Sequence, residues 1–433
     1  MIDPETVNRV VLGIIQHHNC SIDEANRIFT SIKLQIVLSE KIRGSLALQA
    51  AAITAINCGK RAFGGGVFVQ MPENVAALIP WSSRCSLNEI VTELGGELSI
   101  CDSPNFKLYF GTPAIDENSL EVVANGWQAG VLPPEQTIGI PTKPDFTTGG
   151  VAAGALGVAQ AFLTATMIDP FAADKASGIS LWNPELLWYE DDAVGPVITS
   201  LPDEFWILGL GHLGQGYLWN IGLLPFNNPL SVNILIQDFQ DETIELENMS
   251  AGLVTTPLDI KSKKIEVCYR WLKNRNFDPK VRGEEFCSTT KLKAGDPRIA
   301  LCGFDNAKAR MHLSSPGFDY VVDAALGRES TDFDKIAMHT FPSSKTPFEI
   351  WGHLISTVPE INKNVVNAYT NNVDKCGVEI IAGKAIATSF VGAFAGALVL
   401  SELIRRKYYG TSHEKIVLRL RRLGSRNFNR TLH

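Results

Sequence analysis

No two of the eight cysteines are spaced C-x-x-C, so the chain has no pattern for a structural zinc ribbon. There is no basic excess either. Lys and Arg number 39 against 46 Asp and Glu, a net charge of −7, which argues against a general nucleic-acid or membrane-surface binder. The opening residues, MIDPETVNRVVLGIIQHHNC, carry acids before a short apolar run and no small-residue cleavage site, so no export signal is expected. The scattered cysteines are then expected to be reduced thiols of a cytoplasmic protein, most of them buried. The longest apolar window, AIATSFVGAFAGALVLSELI (385–404), is interrupted by Thr388, Ser389, Ser401 and Glu402. It reads as a core helix, with a membrane anchor as the alternative.

What remains is an ordinary globular balance, 45% hydrophobic and 20% charged over 433 residues, enough for two or three domains. An acidic stretch with Pro and Gly, WYEDDAVGPVITSLPDE, marks a seam near 190–203. Beyond it strands and helices alternate. EFWILGLG, SVNILIQDF, PRIALCGFDN, FDYVVDAALG and FDKIAMHTF read as strands, and KSKKIEVCYRWLKNRNF as an amphipathic helix. This predicts an α/β fold with a Rossmann-like, doubly wound, mostly parallel sheet. Before the seam, FGGGVFVQM, GELSICDS and FKLYFG are possible strands, and SLALQAAAITAINCGKR a helix. One late segment, GGVAAGALGVAQAFLTA (149–165), looks like TSFVGAFAGALVLSELI (388–404). Each would close its half. An internal duplication and two unrelated small-residue core helices both account for the pair.

The chemistry is concentrated in FWILGLGHLGQGYLWNIG (205–222). A buried strand runs into Gly209, Gly211 and Gly214, then a helix. Such a loop brings backbone N–H groups and a helix N-terminus to a phosphate. Asp238, at the end of the next strand, suits ribose hydroxyls. A tight turn without a ligand and a nicotinamide dehydrogenase are both compatible with this much. The residues that follow favour ATP. Asn248 ends a polar stretch, Asp259 and three lysines precede a helix, and Asp305-Asn306 end a strand, with Arg310 four residues later. An acid beside a triphosphate is a natural Mg²⁺ ligand and a lysine neutralises phosphate charge. Hydride transfer requires neither.

This ordered series resembles the ubiquitin-activating superfamily, which includes the ThiF, MoeB and HesA adenylyltransferases. That family's run is a glycine loop, a strand ending in Asp-x-Asp, an I-E-x-S-N-L-x-R-Q stretch, a D-x-G-x-x-K helix start and a strand ending D-N-x-x-x-R. Here Gly209–Gly214, Asp238, TIELENMS with Asn248, DIKSKK with Lys264, and CGFDNAKAR with Asp305 match in order. CGVEIIAGKAIATSFVGAFAGALVLSELIRR resembles the crossover loop and final helix. The resemblance covers about 200–406. It implies ATP and Mg²⁺ as cofactors, with Gly209, Gly211, Gly214, Asp238 and Asn248 on the nucleotide, and Asp305 as Mg²⁺ ligand and catalytic acid beside Lys264. There are departures. Ala251-Gly252 stand where the family has Arg-Gln, Gln240 stands where a second acid is common with Asp241 beside it, and zinc cysteines are missing.

The resemblance also implies a pair of halves in one chain, 200–433 the ATP-binding adenylation domain and 1–190 its degenerate partner. The family borrows an arginine from the partner half, for which Arg43 is a candidate, although a surface arginine is the plainer reading. The family's substrate is the C-terminal glycine of a small β-grasp, ubiquitin-like protein, passed to a cysteine as a thioester and then to a conjugating enzyme. Cys376, beside Lys375 and ahead of a helix, is the expected acceptor. Cys287 is second, since two adjacent acids would raise its pKa. Cys268 and Cys302 fall on core faces. His212 either touches phosphate or fills a solvent-facing place, and His339 reads as structural. Without a visible ubiquitin-fold domain or zinc site, the chain looks like the stand-alone activating enzymes of bacterial ubiquitin-like conjugation operons, many of them antiviral. Sulfur-carrier or peptide adenylation without a thioester, and a catalytically dead nucleotide-binding scaffold, are the alternatives. The oligomeric state stays open, a homodimer included.

Overall fold

Phe205 and Ile207 bury one face of a strand, and Trp206 and Leu208 bury the other. A strand apolar on both faces belongs in the middle of a covered, mostly parallel sheet, and the fold grows around two such sheets. The computed structural model describes residues 8–81, 86–139, 145–354, 362–369, 384–409 and 412–430. The first half carries α1 (Arg9–His18), α2 (Ile22–Ser31), β1 (Leu34–Leu38), α3 (Leu46–Ala62), β2 (Val67–Gln70), α4 (Leu87–Glu93), β3 (Phe106–Phe110), β4 (Ser119–Asn125), β5 (Gln128–Leu132), α5 (Thr147–Ala165) and β6 (Ser177–Ser180). The second half opens with β7 (Glu204–Leu208), α6 (His212–Leu223), β8 (Asn233–Gln237), α7 (Lys264–Lys273), β9 (Lys280–Arg282), β10 (Ile299–Cys302) and α8 (Ala307–Arg310). It continues with β11 (Tyr320–Leu326), β12 (Lys335–Phe341), α9 (Pro347–Trp351), α10 (Lys363–Tyr369), α11 (Ser389–Tyr409), β13 (His413–Arg419) and β14 (Asn427–Arg430).

The sheets share one topology. The first runs β2-β1-β3-β4-β5-β6, and the second contains β8-β7-β10-β11-β12-β13, flanked by β9 and β14. In each the first four strands are parallel and the last two antiparallel. The paired small-residue helices, α5 and α11, occupy equivalent places in this repeat. Neither closes its half, because each is followed by a further antiparallel strand.

Small residues are needed where those helices cross their neighbours. A Cβ on Gly150 or Gly154 of α5 would meet the carbonyl oxygen of Ala47 or Ala51 on α3 at 2.2 Å. A Cβ on Gly396 of α11 would meet the carbonyl oxygen of Gly216 on α6 at 2.4 Å, and one on Gly392 would meet the His212 ring at 2.6 Å. The equivalent glycines, Gly150/Gly154 and Gly392/Gly396, therefore let paired helices approach backbone to backbone. Helices α5 and α11 also pack on each other, with Phe162 and Phe390 ring centroids 5.7 Å apart. One apolar core thus runs through both halves. Helix α5 is long and apolar enough to cross a membrane by length and composition, and its residues Thr147 to Leu163 are buried in protein.

Several expectations are corrected. GELSICDS is not a strand. Glu97 makes an isolated bridge to Phe68, and Leu98 and Ile100 face solvent. Strands β9, β13 and β14 extend the second sheet beyond the five strands read from sequence, and the apolar window at 385–404 turns helical only from Ser389. His212 is half-buried rather than a solvent-facing filler. It packs over Gly392, and its Nε2 lies 2.8 Å from the Thr388 carbonyl. A carbonyl only accepts, so Nε2 holds the proton. Desolvation, joined by the Arg9 charge, pushes this histidine down to about 4. His339 on β12 packs edge-on against Trp351, centroids 5.4 Å apart. Burial, with Lys415 and Arg310, pushes it to about 4 as well.

Two predictions follow from this packing. Gly396→Val should lower the urea midpoint by the equivalent of about 1–3 kcal/mol, the usual cost of overpacking. Gly424→Ala, where a Cβ meets nothing within 4 Å, should stay within about 0.5 kcal/mol. Between about 4 and the ordinary 6.5, His212 and His339 are neutral when folded and charged when unfolded. Stability is therefore complete above about 6.5 and is lost as pH falls towards 4. A melting temperature followed from pH 7.5 to 4 should fall in that window, and His339→Phe should flatten the fall.

Candidate active site

Strands β8, β7 and β10 are adjacent and parallel, so the loops at their C-terminal ends converge. This edge of an open α/β sheet is where ligands bind. Gly209 sits at φ +83° and turns the chain out of β7. A Cβ on Gly214 would meet the Gly209 carbonyl oxygen at 1.9 Å, so only glycine allows the loop to fold back under the start of α6. From β10, Gly303 lies against Gly214, and the Phe304 ring would be 3.0 Å from a Cβ on Gly209.

Asp238 holds the loop from the β8 side. Its Oδ2 accepts the Leu210 amide at 2.7 Å and its Oδ1 the Phe239 amide at 2.8 Å. Burial raises this carboxyl above the ordinary aspartate value, against the pull of both amides and of Lys264. Lys264 is the first residue of α7, 17% exposed at its side chain, with Nζ 2.8 Å from Glu242. In the DIKSKK turn Lys261 has φ +66°. It occupies the glycine position of the D-x-G-x-x-K pattern and keeps the left-handed backbone that glycine would supply. Asn248 accepts the Glu245 amide through Oδ1 at 2.8 Å, closing a 3-10 turn over Leu246–Ser250. Asp305, beyond β10, is exposed, and its carboxylate has no recorded partner among the described residues. Asn306 caps α8 through the Ala309 amide. Arg310 turns inward to the carbonyls of Phe304 and Ala324 and to buried Asp323.

Two cations, Arg9 and Lys384, meet at Glu247, close in sequence to Ala251-Gly252. Arg9, at the start of α1 in the first half, pairs with Glu247 at 2.8 Å, and Lys384, just ahead of α11, pairs with the same carboxylate. Arg9 is 25% exposed, its Nε has no partner among the described residues, and its charge reaches His212 on the glycine loop. The Ala251-Gly252 backbone is itself clamped by the first half. Arg61 of α3 donates to the carbonyls of Gly252 and Thr255, each at 2.8 Å, and Asn57 Nδ2 donates to that of Leu253 at 2.9 Å. Gln215 of α6 ties this segment to the loop, donating to the Leu210 carbonyl and accepting the Val254 amide. Arg9, Lys384, Arg61 and Gln215 carry no motif. Their only sequence signal is the missing Arg-Gln.

Arg43 is exposed and stays within its own half, on Glu40 and the carbonyls of Glu73 and Asn74. Cys376 lies outside the described residues. Cys287 departs from its expectation. Hydrogen bonds from Thr289 and Thr290 hold its thiol below the usual cysteine value, and the adjacent acids do not raise it. Its neighbour Phe286 stacks on Phe304, centroids 5.3 Å apart. Cys268 and Cys302 are buried, and desolvation raises both thiols.

The arrangement suits a nucleoside triphosphate. Loop amides and the α6 N-terminus would suit phosphates, with cations at the flank and the Asp305 carboxylate exposed at the rim. No cluster of three or more acidic, His or Cys ligands occurs among the described residues.

Two family models match the chain, the BilD N-terminal domain over residues 33–181 and the BilD C-terminal domain over residues 201–410. A relative from Collimonas sp. (strain OK412), named bacterial E1-like protein BilD, is 31% identical over 424 residues, covering 96% of this chain and 91% of that protein. Among solved structures, E. coli MccB with ATP is similar at 14% identity and TM-score 0.32, over 53% of this chain and 63% of that one, less than two thirds of its length. E. coli tRNA N6-threonylcarbamoyladenosine dehydratase, TcdA, is similar at 11% identity and TM-score 0.30, over 48% and 87%. The chain belongs to the BilD family of bacterial E1-like proteins.

Proposed function

We propose that the chain is an ATP-dependent activating enzyme for a small ubiquitin-like protein of the β-grasp type ending in glycine. The observation that carries this reading is the convergence of Asp238, Lys264 and Asp305 on one glycine loop. The loop amides hold the phosphates, Asp238 and Asn248 position the nucleoside end, and Lys264 offsets phosphate charge once drawn from Glu242. Asp305 would hold Mg²⁺, which neutralises charge on the departing pyrophosphate. Arg9 is the cation lent by the degenerate half. A C-terminal carboxylate oxygen attacks the α-phosphorus and the bond to the β-phosphate bridging oxygen breaks. An acyl-adenylate and pyrophosphate result. A cysteine thiolate then attacks the acyl carbon, its proton already lost to solvent, and AMP leaves with the bonding electrons. Cys376 is the proposed acceptor and a conjugating enzyme the proposed recipient, in the cytoplasm of a bacterium and within an antiphage conjugation operon. Cys287 is a second reading for the acceptor, favoured by its lowered pKa and its place beside Phe304.

ATP–pyrophosphate exchange with candidate β-grasp proteins tests the first step. Asp305→Ala should reduce exchange by about two to three orders of magnitude, and Arg9→Ala by about tenfold. Non-reducing gels test the second step. A thiol-sensitive adduct should vanish in Cys376→Ala while exchange persists. Loss in Cys287→Ala alone would move the acceptor there, and exchange with no adduct would mean adenylation without a thioester.

A further inference from the structure

A cavity of about 950 Å³ opens between the halves, away from the glycine loop. None of Gly209, Gly211, Gly214, Asp238, Lys264 or Asp305 lines it. Its walls are the C-terminal part of α3, the end of α4, α6, α7 and the 3-10 turns Leu246–Ser250 and Pro257–Asp259. Three tryptophans converge there. Trp219 lies 5.8 Å from Trp81 and 6.3 Å from Trp271, centroid to centroid.

Between Trp81 and Trp271 sits the guanidinium of Arg275, 4.2 Å and 3.6 Å from the two rings. Arg275 is 7% exposed. It donates to the Trp271 carbonyl at 3.3 Å, while its Nε has no partner among the described residues. Aromatic faces stabilise a cation, and burial pushes the Arg275 pKa down to about 9 against the opposing pull of the Glu93 carboxylate, so part of its desolvation cost stays uncompensated. Four cations, Lys60, Arg61, Arg270 and Arg275, face the cavity against two carboxylates, Glu93 and Asp259, a local balance of +2 (4 − 2) in a chain of net charge −7. Asp259 is already taken by Arg270 and by the Thr256 amide. Glu93 accepts the Trp81 indole N–H at 3.2 Å. The Lys60 ammonium, at the exposed edge, has no recorded partner among the described residues.

The apolar surface continues outside the cavity. Leu258 is 93% exposed and Leu246 46% exposed, both at the mouth. A small ligand lying among the tryptophans leaves these leucines bare, whereas a chain segment crossing the mouth covers them. We propose that this cavity is a docking site for a short, extended segment of a partner protein carrying a bulky apolar side chain next to an acidic one. The apolar side chain enters among the tryptophans, and the carboxylate meets Arg275 and Lys60. The chemistry is independent of any nucleotide at the β7 loop.

Selection of a random peptide library on the full chain tests this, followed by fluorescence anisotropy of the enriched peptide. The enriched peptides should place Asp or Glu beside Trp, Phe or Leu. Lys60→Glu, a change at the exposed rim, should weaken the enriched peptide about fivefold to tenfold, and Arg275→Met by more. Leu258→Ser should weaken it several-fold. Enrichment without acids, no enrichment, or binding indifferent to Lys60→Glu would overturn the proposal. Indole-3-acetate, an aromatic carboxylate, supplies the small-molecule arm. If it binds the cavity as tightly as the enriched peptide, the site is one for a small anion and the peptide reading falls.

Discussion

The fold of the candidate site depends on the clamp that Arg61 and Asn57 of α3 place on the carbonyls of Gly252, Leu253 and Thr255. These carbonyls lie in an irregular, buried segment, where a backbone acceptor without a partner is costly. The Thr255 hydroxyl donates to the Gly252 carbonyl at 3.0 Å from within the segment, and the first half adds the Arg61 and Asn57 donors. Burial drives the Arg61 pKa down to about 10, and the guanidinium still stays charged at neutral pH. Trp219 of α6 reaches back to Thr54 at 3.0 Å, and Gln160 of α5 reaches the Leu420 carbonyl at 2.6 Å. The halves are therefore joined by directional hydrogen bonds as well as by apolar contact.

The two sheets show how one topology leaves one helix N-terminus open and fills the other. In the second half β7 passes to α6 through Gly209, Leu210 and Gly211, leaving the helix N-terminus open. In the first half β1 passes to α3 through the longer stretch 39–45, with a 3-10 turn over Glu40–Arg43. There Asp145 takes the place of an external anion. It accepts the Leu46 amide at 2.6 Å and the Ser45 hydroxyl at 2.8 Å at the start of α3. A helix N-terminus already holding its own carboxylate has little left for a phosphate.

Much of this was legible in the sequence for a physical reason. The glycine loop and the strands of the second half depend on local pattern: continuous apolar runs buried on both faces, and positive φ or close backbone approach at Gly209 and Gly214. The resemblance then located Asp238, Lys264 and Asp305. What escaped depends on contacts between residues far apart in the chain. Arg9 and Lys384 meet at Glu247, and nothing in their spacing announces it. Lys261 hides a glycine position because the left-handed backbone persists without glycine. Cys287 was misjudged from its acidic neighbours, since the hydroxyls of Thr289 and Thr290 decide its pKa. The strand β1 is five residues long and carries the polar Gln35 as its second residue, buried like its apolar neighbours, so its alternation is weak. Gln35 is buried there because it accepts the Cys101 amide at 2.7 Å.

The central claim is that the loop after β7 holds ATP. Calorimetric titration of the full chain with ATP and Mg²⁺, beside the same titration of Gly214→Val, tests it most directly. The account predicts saturable 1:1 binding by the wild type and none by the variant, whose new side chain would collide with the Gly209 carbonyl. A folded wild-type chain that binds no ATP, or a Gly214→Val chain that binds it undiminished, would contradict it.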